Sequence, residues 1–463
     1  MELRWMEEYV QSIRVNDDDR MKLKYPKEPP KVHLYQGGLR ETLMLEEKEW
    51  KTFNCHDPHI FKDEQTGCYY VYSTDLGKPG IHIRKSPDLI HWDYLGTGFE
   101  KGVPEEANKW SQAQGLWAPD IIKVGDEYRI YYSASTFGSQ QSCIGLAVAK
   151  HPEGPFEHKG LVIKTTNEAP VNAIDANLVV DHKTGEQYMV YGSFWGGIRI
   201  IKLDSTTGLT AEDGFGIPLA TRPREMVDTA VEGAYIRYNK QTGYYYLFVS
   251  YGSLASDYHV RVGRSKCITG PYVDYHNVEM TTINDKPNDI GLKITSGYKF
   301  GDSEGWYALG HNSVLNDEGN WYLVHHTRPE IAPKWPYLQV RKMVWTEDGW
   351  PLVCPCPYSG ESSQQISKEA IIGIYDRIEF NVDDPHLVTP SVKAYFKQDQ
   401  TCLIGNMSGT WALEGEQRLV IRYGEEEERH QVLTAWDFEN WKPTLMTTGL
   451  NSKGICCWMK QID

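Results

Sequence analysis

Four acidic residues and one histidine stand at comparable places along the chain: Asp57, Asp120, Asp175, Glu232 and His311. Each opens a stretch of one kind, in which a polar residue is followed by a short apolar strand, a turn containing Gly or Asp, and an aromatic-rich strand. The five read Asp57-PHIFKDEQTGCYYVYST, Asp120-IIKVGDEYRIYYSAS, Asp175-ANLVVDHKTGEQYMVYGSF, Glu232-GAYIRYNKQTGYYYLFVSYGS and His311-NSVLNDEGNWYLVHHTR. Carboxyl groups brought together raise each other's energy, so a fold that gathers them does so for function. Glycoside hydrolysis is chemistry that needs two of them, one to protonate the departing oxygen and one to act on the opposite face of the sugar. Burial beside a second carboxylate keeps one member protonated at neutral pH.

The elements that position these residues follow from the same stretches. Each is a β-hairpin by its own signals, with apolar runs around the DEQTG, VGDE, HKTGE, NKQTG and NDEG turns. Further strand-like segments follow most copies (IHIRKS with HWDYLG, CIGLAVAKH with GPFEHKG, GGIRIIKL, YHVRVGRS with GPYVDY). About four strands per unit makes a propeller blade, whose innermost strand lines the central channel. The chain is therefore expected to be all-β: a five-bladed β-propeller over residues 51–355, then a small β-barrel or sandwich over 365–463. Residues 1–50, with a short amphipathic helix and the Pro-rich YPKEPPK link, are expected to be an extension and closure segment.

Bulk properties exclude some classes. The net charge of −15 opposes binding to a phosphate backbone. No apolar run approaches the roughly 18 residues of a membrane helix. Neither nucleic acid nor membrane is an expected partner. Nine cysteines without a repeated CxxC spacing read as mostly buried free thiols, including the Cys354-Pro-Cys356 and Cys456-Cys457 pairs. Acidic residues at the N-terminus, where a secretory signal needs a basic segment, lead to a cytoplasmic expectation, or a secreted one if the chain is a processed form.

Six ordered motifs, HDP at 56–58, WAPD at 117–120, NAIDAN at 172–177, GSFWGG at 192–197, VEGAY at 231–235 and GHNSV at 310–314, resemble glycoside hydrolase family 43. Within it they look most like the endo-1,5-α-L-arabinanases that carry an extra C-terminal β domain. The resemblance implies an inverting hydrolase of α-1,5-L-arabinosyl linkages in arabinan or arabino-oligosaccharides. Asp57 would be the base that activates water and Glu232 the acid. Asp175 would be the third carboxylate, which orients Glu232 and favours its protonated form. The motif positions also place Asp57, Trp117, Asn172, Asp175, Ser193, Phe194 and Trp195 against sugar. His311 matches a histidine facing a calcium ion or its waters at the channel bottom, so calcium is the expected cofactor. Asp120 reads as structural, His325 and His326 as packing, and His56-x-x-His59 lacks a zinc arrangement. The acid motif departs from the family, which often has Pro and a different small residue after the glutamate, whereas this chain has Gly233.

Competing readings are an exo-acting α-L-arabinofuranosidase or a β-xylosidase of the same family, a fructoside-cleaving propeller, and a propeller that only binds carbohydrate. The fructoside enzymes use Asn-Asp-Pro and Glu-Cys, where this chain has His56-Asp57 and Glu232-Gly233. A pure binder has no need of three acids at blade openings. Oligomeric state is not encoded in any recognisable signal.

Overall fold

A computed structural model describes the chain except residues 1–8, 14, 16, 39–40, 42–44, 47–48, 224–230, 285 and 385. The chain forms two compact units. One comprises Val32–Ser296 and Tyr307–Val340; the other comprises the described residues up to Lys31, Gly297–Trp306 and Arg341–Asp463. The expected N-terminal helix falls partly on undescribed residues, and the described part includes a helix at Asp17–Met21.

The first unit is built from blades of antiparallel strands. The first blade runs His59–Asp63, Cys68–Ser73, His82–Ser86 and Asp93–Thr97, and the second Trp117–Val124, Glu127–Ala134, Cys143–Ala149 and Glu157–Lys164. The third runs Asn177–Val180, Gln187–Tyr191, Ile198–Leu203 and Ile217–Ala220, and the fourth Val231–Asn239, Tyr244–Tyr251, His259–Ser265 and Leu292–Lys293. The fifth is built on Trp306–Asp317, Asn320–Pro329 and Tyr337–Trp345. Asx turns close the inner hairpins: Asp63 accepts from the Thr66 N–H, Asp181 from Lys183, and Asn239 from Gln241. Blade faces are buried against neighbours, which is why the second strands read as continuous apolar runs. Tyr70, Tyr72 and Ile83 of the first blade, for example, join one cluster with Ile130, Tyr132 and Ala147 of the second.

The second unit carries the expected small β domain as a closed barrel of eight strands, from Gly373–Glu379 to Cys456–Gln461. Its interior is a cluster including Tyr375, Phe396, Trp411, Leu419, Ile421 and Leu445. The cysteines named in the sequence pairs, Cys354, Cys356, Cys456 and Cys457, are free and buried.

Five inner strands share a local irregularity that fixes their true register. Asp57, Ala118, Asp175, Gly233 and His311 all have left-handed backbone, with φ of 50°, 37°, 61°, 58° and 42°. Bulges mark the same point in the second and fourth blades. Three residues further on stand Ile60, Ile121, Leu178, Ile236 and Val314. The repeat expected from sequence is thus corrected at two blades. Asp120 lies two residues beyond the irregular position and Glu232 one residue before it, so the five polar residues are not equivalent openers.

Asp120 instead belongs to a layer with His59, Asn177, Tyr235 and Ser313, from which hydrogen bonds link neighbouring blades. His59 Nδ1 stands 2.6 Å from Asp120 Oδ1, and Asn177 Nδ2 donates to Asp120 Oδ2 at 3.0 Å, joined there by the Leu178 N–H. The Ile236 N–H donates to Asn177 Oδ1 at 2.8 Å, Arg237 Nε to the Val314 carbonyl at 3.0 Å, and the Ile60 N–H to Ser313 Oγ at 3.0 Å. The ring therefore runs through all five blades. Asp120→Ala would orphan the buried donors of His59, Ile121, Asn177 and Leu178. It should cost about 3–5 kcal/mol, as expected for breaking a buried charged network. Urea unfolding should show this as a lowered midpoint, and an unchanged midpoint would show the ring to be dispensable.

Candidate active site

Four of the five irregular positions have their N–H held by a polar group near the end of the preceding blade's second strand. The Ala118 N–H donates to Thr74 Oγ1 at 2.9 Å, the Asp175 N–H to Ser133 Oγ at 2.9 Å, the His311 N–H to Ser250 Oγ at 2.8 Å, and the Asp57 N–H to His326 Nδ1 at 3.2 Å. At the remaining blade junction, Ser193 Oγ donates to Glu232 Oε2 at 2.7 Å. The four backbone bonds satisfy donors that the left-handed turn removes from the ladder, and the side chains there come close enough for Asp57, Asp175, Glu232 and His311 to act on one another's charge.

Asp57, Asp175, Glu232 and His311 all face that chamber and are buried or nearly so. Asp57 receives Thr74 Oγ1 on Oδ2 at 2.6 Å, and His56 Nδ1 stands 2.8 Å from the same oxygen. His311 Nδ1 lies 3.1 Å from Oδ1. Burial alone would raise the Asp57 carboxyl, but His56 and His311 overcome it and hold it well below the usual carboxylate range. Burial would likewise lower His311, and Asp57 beside it instead raises it to about 9. The two form an ion pair at neutral pH. Burial drives Asp175 up to about 8; the cationic His311 pulls against this, and Glu232 and Asp57 add to it. One carboxyl is therefore ionised and another protonated within the same cavity, a division of state suited to base and acid work.

Gly233 serves the site in two ways. Its N–H donates to Asp175 Oδ2 at 3.3 Å, and a Cβ on it would stand 3.0 Å from His311 Cγ. With φ at 58°, glycine is what lets Asp175 and His311 approach this backbone.

The sugar-contact candidates are placed unequally. Ser193 is engaged directly with Glu232. Trp117, half-buried, immediately precedes the Ala118 that Thr74 anchors. Asn172 is buried, and its Oδ1 has no partner among the described residues. Phe194 is exposed with φ at 53°, its ring 6.0 Å from that of half-buried Trp195. Three functional groups escaped the sequence reading. His326, expected to be packing, holds the Asp57 backbone. Thr74 joins Asp57 to the WAPD motif, and Tyr258 donates to Glu232 Oε1 at 2.8 Å. Thr74 and His326 lie inside the quoted repeats, where their recurring strand-end position was the available signal.

A metal ion could be held by His56, Asp57 and His326, whose ligand atoms lie within 4.8 Å of one another. His311, the expected metal residue, stands beside this group with Nδ1 on Asp57. Burial, with the neighbouring His56, holds His326 neutral well below its ordinary range. The Asp57 N–H donates to its Nδ1, so the neutral ring carries its proton on Nε2, which is buried and without a partner among the described residues.

The protonation pattern has a consequence for stability. Asp175 and His311 bind protons more tightly when folded, at about 8 against an ordinary 3.8 and about 9 against 6.5. Their contributions are complete below the lower value of each pair and are lost as pH rises through the higher one. Asp57 behaves oppositely and loses its contribution in acid. The thermal midpoint should therefore fall between pH 6.5 and 9, with a shallower fall in Asp175→Asn. A midpoint flat across that window in the parent protein would contradict the assigned charges.

Comparison with known proteins agrees with this geometry. Residues 51–351 match glycosyl hydrolases family 43, and residues 355–459 match a C-terminal lipocalin-like domain. An extracellular endo-α-(1→5)-L-arabinanase 2 of Bacillus subtilis is 30% identical over 91% of this chain and 95% of its own length. The crystal structure of an endo-1,5-α-L-arabinanase from Thermotoga petrophila superposes with a TM-score of 0.79 at 30% identity, covering 89% of this chain and all of that one. An extracellular exo-α-(1→5)-L-arabinofuranosidase of Cellvibrio japonicus is 34% identical over 65% of this chain and 87% of its own length. Five blades converging on three carboxyls, and a match that spans both units, make this chain a member of glycosyl hydrolase family 43 with an appended lipocalin-like barrel.

Proposed function

We propose that the chain hydrolyses internal α-1,5-L-arabinosyl linkages of arabinan and its oligosaccharides with inversion at the anomeric carbon. The observation that carries this is the opposite charge state of Asp57 and Asp175 in one buried chamber with Glu232. Asp57, kept ionised by His56 and His311, takes a proton from the attacking water. Glu232 gives its proton to the departing sugar oxygen. Asp175 accepts from the N–H of Gly233, the residue after Glu232, and its own raised pKa keeps a proton in the chamber at neutral pH. Trp117, Phe194, Trp195 and Asn172 supply flat faces and a free acceptor for sugar rings and hydroxyls.

Endo action is favoured because two relatives that span both units, at 91% and 88% of this chain, are endo-arabinanases, whereas a match to about two thirds of the chain is shared by an exo-acting enzyme at 65% and an endo-acting one at 64%. Product sizing on linear debranched arabinan tests the proposal: a ladder of oligosaccharides is expected early, and arabinose alone would favour the exo reading. Asp57→Ala and Glu232→Ala should each lower turnover on that polymer by about 10²–10⁴-fold, with binding nearly intact. Turnover near the parent rate in either variant would remove that residue from the mechanism.

Calcium at the channel bottom is part of the proposal. Calcium takes six to eight oxygen ligands, and this wall offers mainly nitrogens. The ion would therefore keep most of its waters, with His311 and the Nε2–H of His326 facing that shell of water. When bound it would supply positive charge near the carboxyls. EDTA should lower the melting temperature and calcium should restore it, since an ion bound to the folded state alone stabilises that state. No change after chelation, with elemental analysis showing the ion gone, would assign both histidines to packing and to Asp57.

A further inference from the structure

Glu232 has two unequal neighbours. On Oε1 it accepts from the Tyr258 hydroxyl at 2.8 Å, and on Oε2 from Ser193 Oγ at 2.7 Å. Tyr258 is 1% exposed, and its ring lies nearly parallel to that of His326, with centroids 5.7 Å apart and planes at 14°. Gly310 makes room for it, since a Cβ there would stand 2.3 Å from the tyrosine ring. The phenol is thus held in place by packing before it makes any polar contact.

The two hydroxyls respond differently when Glu232 gains a proton. A serine hydroxyl rotates freely and serves as donor or acceptor. With the proton on Oε2, Ser193 turns to accept it, and its own hydrogen can swing freely about the Cβ–Oγ bond to another position. With the proton on Oε1, two O–H groups would face each other. Tyr258 could accept only by swinging its hydrogen across the plane of a ring that packing holds fixed, and Glu232 is the one partner of its hydroxyl among the described residues. That loss would leave a buried polar hydrogen unsatisfied and should favour Oε2 by roughly 5–100-fold, which is about 1–3 kcal/mol at 1.4 kcal/mol per tenfold.

We propose that Tyr258 is a positioning residue that confines the acidic proton of Glu232 to Oε2, the oxygen shared with Ser193, so that the departing sugar oxygen collects it there. The proposal rests on Glu232 being the acid. In the step, the Oε2–H bond breaks as the new O–H bond forms on the leaving oxygen and the glycosidic C–O bond opens. Water attacks the anomeric carbon and passes a proton to Asp57. Glu232 is left as a carboxylate that still accepts from Tyr258, and Ser193 turns back to donate.

Tyr258→Phe removes the hydroxyl and keeps the ring, so the stack on His326 and the fit against Gly310 survive. Without the donor, Oε1 is unanchored: the proton also populates it, and the carboxyl, held by Ser193 alone, can turn about its Cγ–Cδ bond so that Oε2 no longer stays aimed at the departing oxygen. On linear arabinan kcat should fall about 10–100-fold with KM changed by less than about threefold, a loss of acid assistance rather than of binding. On a dinitrophenyl glycoside of arabinotriose, whose leaving group departs without a proton, the loss should be under about threefold. Loss of packing alone would lower both rates equally. Glu232→Ala, assayed in parallel on the same two substrates, separates the levels. If it too loses equally on both, the acid assignment fails. If it shows the leaving-group contrast and Tyr258→Phe does not, the role of Tyr258 alone is overturned.

Discussion

Three carboxyl groups within one buried chamber form a constraint that the surrounding structure exists to satisfy. Left to themselves, burial and mutual repulsion would protonate all of them, and none could act as a base. One cation resolves this. His311 pairs with Asp57 and, with His56, keeps that carboxyl ionised, while the remaining repulsion and burial push Asp175 up to about 8. The site therefore holds an ionised Asp57 and a protonated Asp175, and the difference comes from which carboxyl the imidazolium touches.

Backbone geometry makes that choice. Asp57 and His311 sit at left-handed positions on neighbouring inner strands, and Gly233 lies at the same position on the next. Four of the five such turns spend a backbone hydrogen bond and recover it from the preceding blade through Thr74, Ser133, Ser250 or His326. Because every cap comes from a different blade than the residue it holds, the blades are tied together at the height of the chemistry. The deeper ring through Asp120 and Asn177 does the same one layer below. Rigidity at this height matters because an acid and a base on opposite faces of a sugar must keep their spacing without substrate to hold them.

Much of this was legible in the sequence. Five hairpins with turns containing Gly or Asp specify five blades, and the short strands after residue 365 specify a small β domain, found as a closed barrel. What the repeat hid was its own register. The position shared by all blades is occupied by Ala118 and Gly233 in two of them, residues with no polar signature, so the eye moves to Asp120 and Glu232 nearby. The consequence is physical: Asp120 is a structural acceptor two residues on, and Glu232 projects from the position His56 occupies in the first blade. Tyr258 was invisible for a different reason. It precedes a third strand, His259–Ser265, and meets Glu232 only because Gly310 of another blade lacks a side chain. Contacts of that kind depend on tertiary placement, which local pattern does not encode.

The direct test of a base on one face and an acid on the other is the configuration of the first-formed product. Proton NMR of an arabino-oligosaccharide digest, recorded before mutarotation equilibrates the new reducing end, reads that configuration without reference to any single residue. Attack by water that Asp57 activates should invert the α linkage, so β-arabinofuranose should appear first and relax to the equilibrium mixture. Initial release of α-arabinofuranose would mean retention through a covalent intermediate, and would contradict the assignment of Asp57 as a base acting on water.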